Sequence, residues 1–572
     1  MSIFKVIVDE HMSIIEVAEK MSNIELNNKI SGIAIVVNKQ EQVVATLTDG
    51  DIRKAIVNHI SFEDSIKNIC NYNPICVYKN ENKKFMYLDI INQLNEKRKT
   101  KKDFNITQVV ILNDDNTLHD VVMLSSLKDD DVFDKQIAVY GMGFVGLTLS
   151  LVMANNGLSV KGLDVSQKIV ANLENNSPHF YENGLSPLLE TLNEKKLISF
   201  SSDLENTKAD IYVVAVGTPV DDTYNPNMDY INSVSHTISR HLKKGDLVVF
   251  RSTLPIGTMR NNVIPILEKS GLVAGSDFHV SFAPERTVEG KAIEEVQSLP
   301  QIIGGFTPKC AELTANMFRE ITNSIVEVDN LEASEMVKLL NNTYRDLVFS
   351  FANEVSFICD QYNINSFKLI EAANEGYPRN PIPKPSPGVG GICLSKDPHL
   401  YSNISDEEFY TPVLGKASRG INEKGGEYAF NKISKYAESI NKKIEDLKIF
   451  IVGVAFKGIP ATSDIRESMA VKLIDLLPVK NNVFVKDFVV EQDDIESLNV
   501  NYVEDLKDGF NDTDVVLFMN NHYLNDKFDM FKSFSDMTQG GLVFDGWNLF
   551  RANEVEKING TVYSTMGYMT DI

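Results

Sequence analysis

The strongest constraint on the fold is a short glycine-rich turn, Gly141-Met142-Gly143-Phe144-Val145-Gly146. Ile137–Tyr140 before it reads as a strand and Leu147–Asn155 after it as an apolar helix, while the next strand, Val160–Leu163, ends in Asp164. In that context the glycines permit a tight turn, let backbone approach a pyrophosphate, and aim helix N–H groups at it. Asp164 is then placed to hold a ribose 2′-hydroxyl. A carboxylate there repels a 2′-phosphate, so the expected cofactor is NAD rather than NADP, held by Gly141, Gly143, Phe144, Val145, Gly146 and Asp164.

Strands alternating with helices continue through Ile211–Val216, Leu247–Phe250 and His279–Phe282. The pattern restarts at Lys448 with Ile449–Val452, Val483–Val485, Val515–Met519 and Leu542–Phe544. Such alternation builds a parallel sheet. Between the two runs lie a long helical region, Glu332–Asn374, and Pro378–Pro387, whose five prolines exclude helix interior and central strand. The first 130 residues read differently. Ser13 caps a helix starting at Ile14, with Glu16 completing a capping box. Ile33–Val37 and Val43–Leu47 form a hairpin around Asn38–Gln42. A weaker copy follows, with a helix over Leu88–Glu96 and strands Val109–Leu112 and Val121–Leu124. The polar stretch Ser125–Asp134, carrying Lys128-Asp129-Asp130-Asp131, reads as a linker.

The expected architecture is therefore α/β: two doubly wound, Rossmann-like domains (135–327 and 445–572) joined by a central helical domain (328–440), after an N-terminal α+β module (1–130). A chain of 572 residues with 43% hydrophobic and 24% charged residues supports several such cores. Its net charge of −23 argues against nucleic-acid binding and against docking on an anionic membrane. No apolar run approaches a membrane span and the start lacks the features of a signal peptide. Five scattered cysteines without a CxxC argue for a reducing cytoplasm rather than a disulfide framework. The nine histidines form no ligand-spaced cluster, so no metal is expected.

Two further motifs carry chemistry. In Gly388-Val389-Gly390-Gly391-Ile392-Cys393-Leu394-Ser395-Lys396-Asp397, glycines allow close approach of a ligand, Lys396 lowers the thiol pKa, and Asp397 is placed to position water. Spacing alone leaves Cys393 either a nucleophile or a small buried hydrophobe. In Glu335–Arg345, Lys338, Asn342 and Arg345 share one helix face, with Val337, Leu340 and Tyr344 on another. That polar stripe is either a solvated face or a cradle for an anionic or carbonyl-bearing substrate.

At these residues the sequence resembles the UDP-glucose/GDP-mannose dehydrogenase family of nucleotide-sugar 6-dehydrogenases. The likeness covers Lys135–Ile572 and includes Val216-Gly217-Thr218-Pro219, Arg251–Thr258, Ala283-Pro284-Glu285-Arg286, Ala455-Phe456-Lys457 and Asp464–Ser468. The resemblance implies a four-electron oxidation of a sugar C6 alcohol to a carboxylate, reducing two NAD⁺. It implies Cys393 as nucleophile through a thiohemiacetal and a thioester, Lys338 and Asn342 as oxyanion stabilisers, and Asp397 and Glu285 as proton and water handlers. Lys168, Thr218, Thr253, Lys396 and Arg466 join the cofactor residues, and Glu285 also lines that cleft. Lys457, Gly390 and Arg345 fall to the substrate, and Arg379 to a neighbouring subunit's substrate, so a homodimer or larger homo-oligomer is implied. Arg286, the run Tyr344-Arg345-Asp346 to Phe351-Ala352-Asn353-Glu354, and Val389 resemble the branch acting on UDP-N-acetylmannosamine or UDP-N-acetylglucosamine, with UDP-glucose as the alternative substrate. Ser395 departs from the proline usual in this loop.

The N-terminal segment resembles a CBS-type domain pair at Leu47-Thr48-Asp49-Gly50-Asp51-Ile52-Arg53. That resemblance implies a regulatory adenine nucleotide held by Thr48 and Asp51; a packing module without ligand is the alternative. Two other functions remain open: a protein that only senses NAD or a nucleotide sugar, and a two-electron hydroxyacid dehydrogenase. Neither uses a thiol nucleophile.

Overall fold

The structure is a computed structural model; it describes the chain apart from residues 1–5, 23–31, 80–85, 87–88, 91–92, 95–96, 98–105, 125–131, 222, 323, 380, 404–409 and 571–572. The chain divides into two compact units, Met1–Asp134 and Lys135–Ile572.

The first unit is built twice over. Strand Ile7–Asp9 pairs parallel with Ile33–Val37, which pairs antiparallel with Val43–Thr48. Cys76–Tyr78 pairs parallel with Gln108–Leu112, which pairs antiparallel with Leu118–Met123. Both hairpins break register near the end of the middle strand, at Val36/Val37 and at Ile111/Leu112. Both turns close through an asparagine N–H, Asn38 to Gln42 O and Asn113 to Thr117 O, with Glu41 and Asn116 in left-handed backbone. The repeat suspected in the sequence is thus present in topology and turn chemistry. The expected capping box forms at helix Ile14–Ser22: Glu16 N donates to Ser13 Oγ and Ser13 N donates to Glu16 Oε2. The expected helix over 88–96 lies largely outside the described residues, as does 125–131 of the expected linker, while Val132–Asp134 forms one 3₁₀ turn.

The second unit holds two sheets. The larger runs, in spatial order, Ile325–Val328, Gln301–Gly305, His279–Phe282, Leu247–Phe250, Ile211–Val214, Gln136–Tyr140, Ser159–Leu163 and Ile198–Ser201. All its pairs are parallel except His279–Phe282 with Gln301–Gly305. The smaller runs Asn501–Tyr502, Val483–Lys486, Ile449–Val452, Val515–Phe518, Leu542–Asp545, Val562–Thr565 and Tyr568–Met569. Its strands are parallel up to the final antiparallel pair. The central strands of both are apolar and buried along their length, as strands covered on two faces must be. Strands such as Ile198–Ser201 and Ile325–Val328, at the two edges, escaped the sequence reading because each is only four residues long and is interrupted by polar side chains, Ser199 and Ser201 in one and Glu327 in the other.

The two sheets start alike. Gly141 and Gly453 both have positive φ, +93° and +90°, and each donates its N–H to the end of the neighbouring strand, at Leu163 O and Lys486 O. Asp164 then accepts from Met142 N, and Asp487 from Val454 N and Ala455 N.

The helical region expected over Glu332–Asn374 is two helices, Leu331–Gln361 and Ser366–Asn374. The break falls where Asn363 takes positive φ and Asn365 caps the second helix through Lys368 N. The long helix is inverted relative to an ordinary surface helix. Its polar Lys338, Asn342, Asp346 and Asn353 are buried, whereas Leu340, Tyr344, Phe351 and Ile358 are 49%, 66%, 52% and 52% exposed. The solvated-face reading of the Lys338 stripe is corrected here for Lys338 and Asn342: other elements of the same unit cover them.

Candidate active site

The glycine turn behaves as the sequence predicts. Gly143 is the N-cap of helix Phe144–Asn155 and has no side-chain cap, so the first N–H groups of that helix stay available. A Cβ on Gly146 would stand 1.8 Å from Gly141 O, so that glycine is demanded by packing, whereas one on Gly143 would meet nothing within 4 Å. The open side of Gly143 leaves room for a pyrophosphate. Asp164 is fixed beside it by Met142 N and Ser166 N, both at 2.9 Å. These features fit NAD. Lys168 follows, exposed, on helix Gln167–Glu174. Thr218 Oγ1 donates to Thr253 O at 2.7 Å, tying together the loops after two neighbouring strands.

Cys393 sits in the first turn of helix Ile392–Ser402, whose N-cap Gly391 has φ +84°. The thiol is reachable from solvent yet enclosed by charged side chains. Enclosure pushes its pKa up; Lys338 and Lys396 pull it down, and Asp397 and Glu289 push it up again. One helical turn on, Asp397 is fully buried and accepts from Asn342 Nδ2 at 2.6 Å and Lys396 Nζ at 3.0 Å. Asn342 and Lys338 lie on the same face of the long helix, and Lys338 Nζ donates to Glu285 O at 2.6 Å. Glu285 is buried against Arg251, and its Oε1 accepts from Arg286 N and Thr287 N at 2.7 and 2.8 Å. Burial would raise this carboxyl, but Arg251, the Thr287 N–H and Lys338 outweigh it and hold it below the usual range.

The smaller sheet closes the cleft from the other side. Lys457 Nζ donates to Glu289 O at 2.8 Å, and Thr462 Oγ1 to Glu289 Oε2 at 3.2 Å. Burial lowers the Lys457 ammonium pKa, with Glu289 opposing, and Arg345 is near enough to lower it further. Arg466 forks onto Asp464 and its carbonyl accepts from Gly391 N at 3.2 Å, joining the cysteine loop to this domain. A Cβ on Gly390 would lie 2.3 Å from Glu467 O, so this glycine is needed for that packing as well. Ser395 turns its hydroxyl back to Ile392 O.

Cys393, Lys338, Asn342, Asp397, Glu285, Lys396, Lys457, Arg345 and Arg466 thus surround one cleft. Arg379 does not join them: it is exposed, with its guanidinium 5.5 Å from the centre of the Tyr377 ring. His399 and His522 stack on Tyr224 and Phe488. Glu289 was missed. It faces Lys457, Arg466 and Thr462, and burial followed by Asp464 raises its pKa. Its spacing, four residues after Glu285 and just before Gly290 with φ +91°, was the available signal.

Sequence models of three domains of the UDP-glucose/GDP-mannose dehydrogenase family match in chain order: the NAD-binding domain at 135–322, the central domain at 332–424 and the UDP-binding domain at 450–552. The chain belongs to this family. A CBS domain matches residues 3–58. The dehydrogenase part is similar to the UDP-N-acetyl-D-mannosamine dehydrogenase of Methanococcus vannielii, 30% identical across 73% of this chain and 94% of that one. It is 31% identical to the enzyme of that name from Pyrococcus horikoshii, over 61% of this chain and 81% of the other. The Staphylococcus aureus UDP-N-acetyl-mannosamine dehydrogenase structure superposes with a TM-score of 0.64 at 29% identity, covering 76% of this chain and 98% of that one. The chain is therefore an NAD-dependent nucleotide-sugar dehydrogenase, and its third family domain binds UDP. Membership of this family excludes the hydroxyacid-dehydrogenase reading.

Proposed function

We propose that this dehydrogenase oxidises the C6 alcohol of a UDP-N-acetylhexosamine, UDP-N-acetylmannosamine or UDP-N-acetylglucosamine, to the carboxylate, with Cys393 as covalent nucleophile. The observation that carries this reading is the convergence of Cys393, Lys338, Asn342 and Asp397 at one cleft, in which Asn342 bonds Asp397 across 2.6 Å. A protein that merely sensed its ligands would have no use for that set. NAD, when bound, supplies the hydride acceptor for two successive two-electron oxidations. Cys393 Sγ adds to the aldehyde carbon, forming a C–S bond as the carbonyl oxygen takes a proton, and holds that carbon first as a thiohemiacetal and then as a thioester. Lys338 and Asn342 stabilise charge on the sugar oxygen; the loss of one such donor typically costs about 10²–10³ in rate. Water adds to the thioester, the C–S bond breaks, and the Cys393 thiol returns with the free uronic acid. Asp397, bonded to Asn342 and Lys396, is placed to take a proton from that water.

Arg345, exposed beside Lys457, supports the N-acetylated substrate by offering donors to an acetamido carbonyl. Replacing Arg345 with Leu should reduce the preference for N-acetylated over plain UDP-hexoses; unchanged selectivity rejects this role. UDP-glucose remains the second candidate. A UDP-uronic acid product suits precursor supply to a polysaccharide. The exposed apolar stripe of the long helix, Leu340, Tyr344, Phe351 and Ile358, supports pairing with a second copy of the chain. In the N-terminal unit a cavity of about 530 Å³ is lined by Thr46, Thr48, Asp51, Lys54, Asn71 and Thr107, a set suited to an adenine nucleotide acting as regulator. Thr48 and Asp51 also form a capping box there, at 2.7 Å between side-chain oxygens.

The test of the nucleophile is alkylation. Iodoacetamide should label Cys393 and abolish turnover, and the UDP-sugar substrate should protect it. Full turnover of a completely alkylated enzyme would overturn the reading.

A further inference from the structure

Beneath the cysteine loop lies a fully buried ion pair, Asp346 with Arg419, outside the cleft described above. Asp346 continues the face of the long helix that carries Lys338 and Asn342, at i+8 and i+4. Arg419 Nη1 donates to Asp346 Oδ1 at 2.7 Å, Ser418 Oγ to Oδ2 at 2.7 Å, and Asn422 Nδ2 to Oδ1 at 2.8 Å. Both Nη atoms of Arg419 also reach Val389 O, at 3.2 Å. Val389 N donates to Asn422 O at 3.3 Å. Asn353, from the long helix, accepts from Ser386 N at 2.9 Å and donates to Asn422 Oδ1 at 2.9 Å. Ser418, Arg419 and Asn422 belong to a separate helix, Leu414–Asn422; a Cβ on Gly388, whose φ is +119°, would stand 2.6 Å from Asn422 O, so the loop lies directly on that helix.

Burying a guanidinium and a carboxylate costs desolvation that well-packed apolar residues would avoid, so stability alone explains the pair poorly. What the pair does that apolar residues could not is bond a loop carbonyl with a rigid fork. We propose that Asp346 and Arg419 are positioning residues: they fix Val389 and the glycine loop against the long helix, and so aim Cys393 at Lys338 and Asn342. The proposal rests on the nucleophile reading.

Arg419→Lys keeps the charge and removes the fork; Asp346→Asn removes the charge and keeps the shape. We expect kcat to fall about 10- to 100-fold, the size of effect that misplacement of a reacting group by about 1 Å produces. Cys393 alkylation should slow or change its pH profile, while NAD affinity stays as in the parent. Folded variants with parental kcat, or with lowered thermal stability but an unchanged alkylation profile, overturn the proposal. Should both fail to fold, Asn353→Ser, which removes a loop bond and spares the ion pair, carries the test: lowered kcat at parental NAD affinity supports the clamp, and unchanged kcat overturns it. Cys393→Ser in the same assay separates the two readings. If it still turns over, the nucleophile assignment fails; if it is inactive while Arg419→Lys is unaffected, the clamp alone fails.

Discussion

Asn342 and Asp397, from the middle of the long helix and the first turns of the cysteine helix, share a hydrogen bond of 2.6 Å with almost no access to solvent. That bond joins the element carrying Lys338 to the element carrying Cys393. Replacing Asn342 with Ala should therefore do two things at once: remove a donor to the sugar oxygen and leave Asp397 with Lys396 as its remaining side-chain partner. We expect kcat to fall about 10²–10³-fold with a smaller change in KM. Steady-state kinetics on the folded variant check this; an equal loss in both parameters would mean Asn342 serves only binding or packing.

The Cys393 thiol is shifted upward by its enclosure, with Lys338 the largest opposing influence. Because the thiolate is the nucleophile, alkylation should accelerate with pH through and beyond the range of a free thiol. Removing the ammonium in Lys338→Met should move the profile to higher pH. Glu289 acts with the opposite sign, so Glu289→Gln should move it to lower pH. Iodoacetamide rates across pH measure both, and shifts of the same sign in the two variants would contradict this account of the cleft's charges.

Much of this site was legible in the sequence because its parts are local. The glycine turn, the cysteine loop and the Lys338–Asn342 spacing each sit within one stretch of chain. What the sequence did not disclose depends on distant partners. Glu289 is defined by Lys457, Thr462 and Arg466, more than a hundred and fifty residues away, and Asp346 by Arg419. The Lys338 face stays ambiguous in the sequence for the same reason, since its local polarity fits a solvated surface as well as a site until the Asp397 helix is seen to cover it. The second N-terminal half was faint because its likeness to the first lies in strand order and turn geometry, with little shared side-chain pattern.

The exposed apolar stripe gives a prediction about assembly. Phe351→Glu combined with Ile358→Glu places charge on a face that a second copy would bury, and should yield monomers by sedimentation at concentrations where the parent is dimeric or larger. An unchanged sedimentation coefficient would show that the stripe is not the interface.

For the N-terminal cavity, Asp51→Ala should abolish any effect of ATP or AMP on dehydrogenase activity. The same change removes the Asp51 half of a capping box, the carboxylate that accepts from Thr48 N, while the Thr48 hydroxyl still accepts from the backbone N–H of residue 51. Ser13→Ala is the control, because it weakens the corresponding cap of helix Ile14–Ser22 away from the residues lining the cavity. Retention of a full nucleotide effect in Asp51→Ala, or its equal loss in Ser13→Ala, would refute a nucleotide role for Asp51.

The central claim, a four-electron oxidation through Cys393, is tested most directly by counting NADH formed per UDP-sugar consumed. Purified protein is given NAD⁺ with UDP-N-acetylmannosamine, UDP-N-acetylglucosamine, UDP-N-acetylgalactosamine or UDP-glucose, each with and without adenine nucleotide. The account predicts two NADH per sugar for an N-acetylated substrate, abolished by Cys393→Ser. One NADH per sugar, or an undiminished yield from Cys393→Ser, would contradict it.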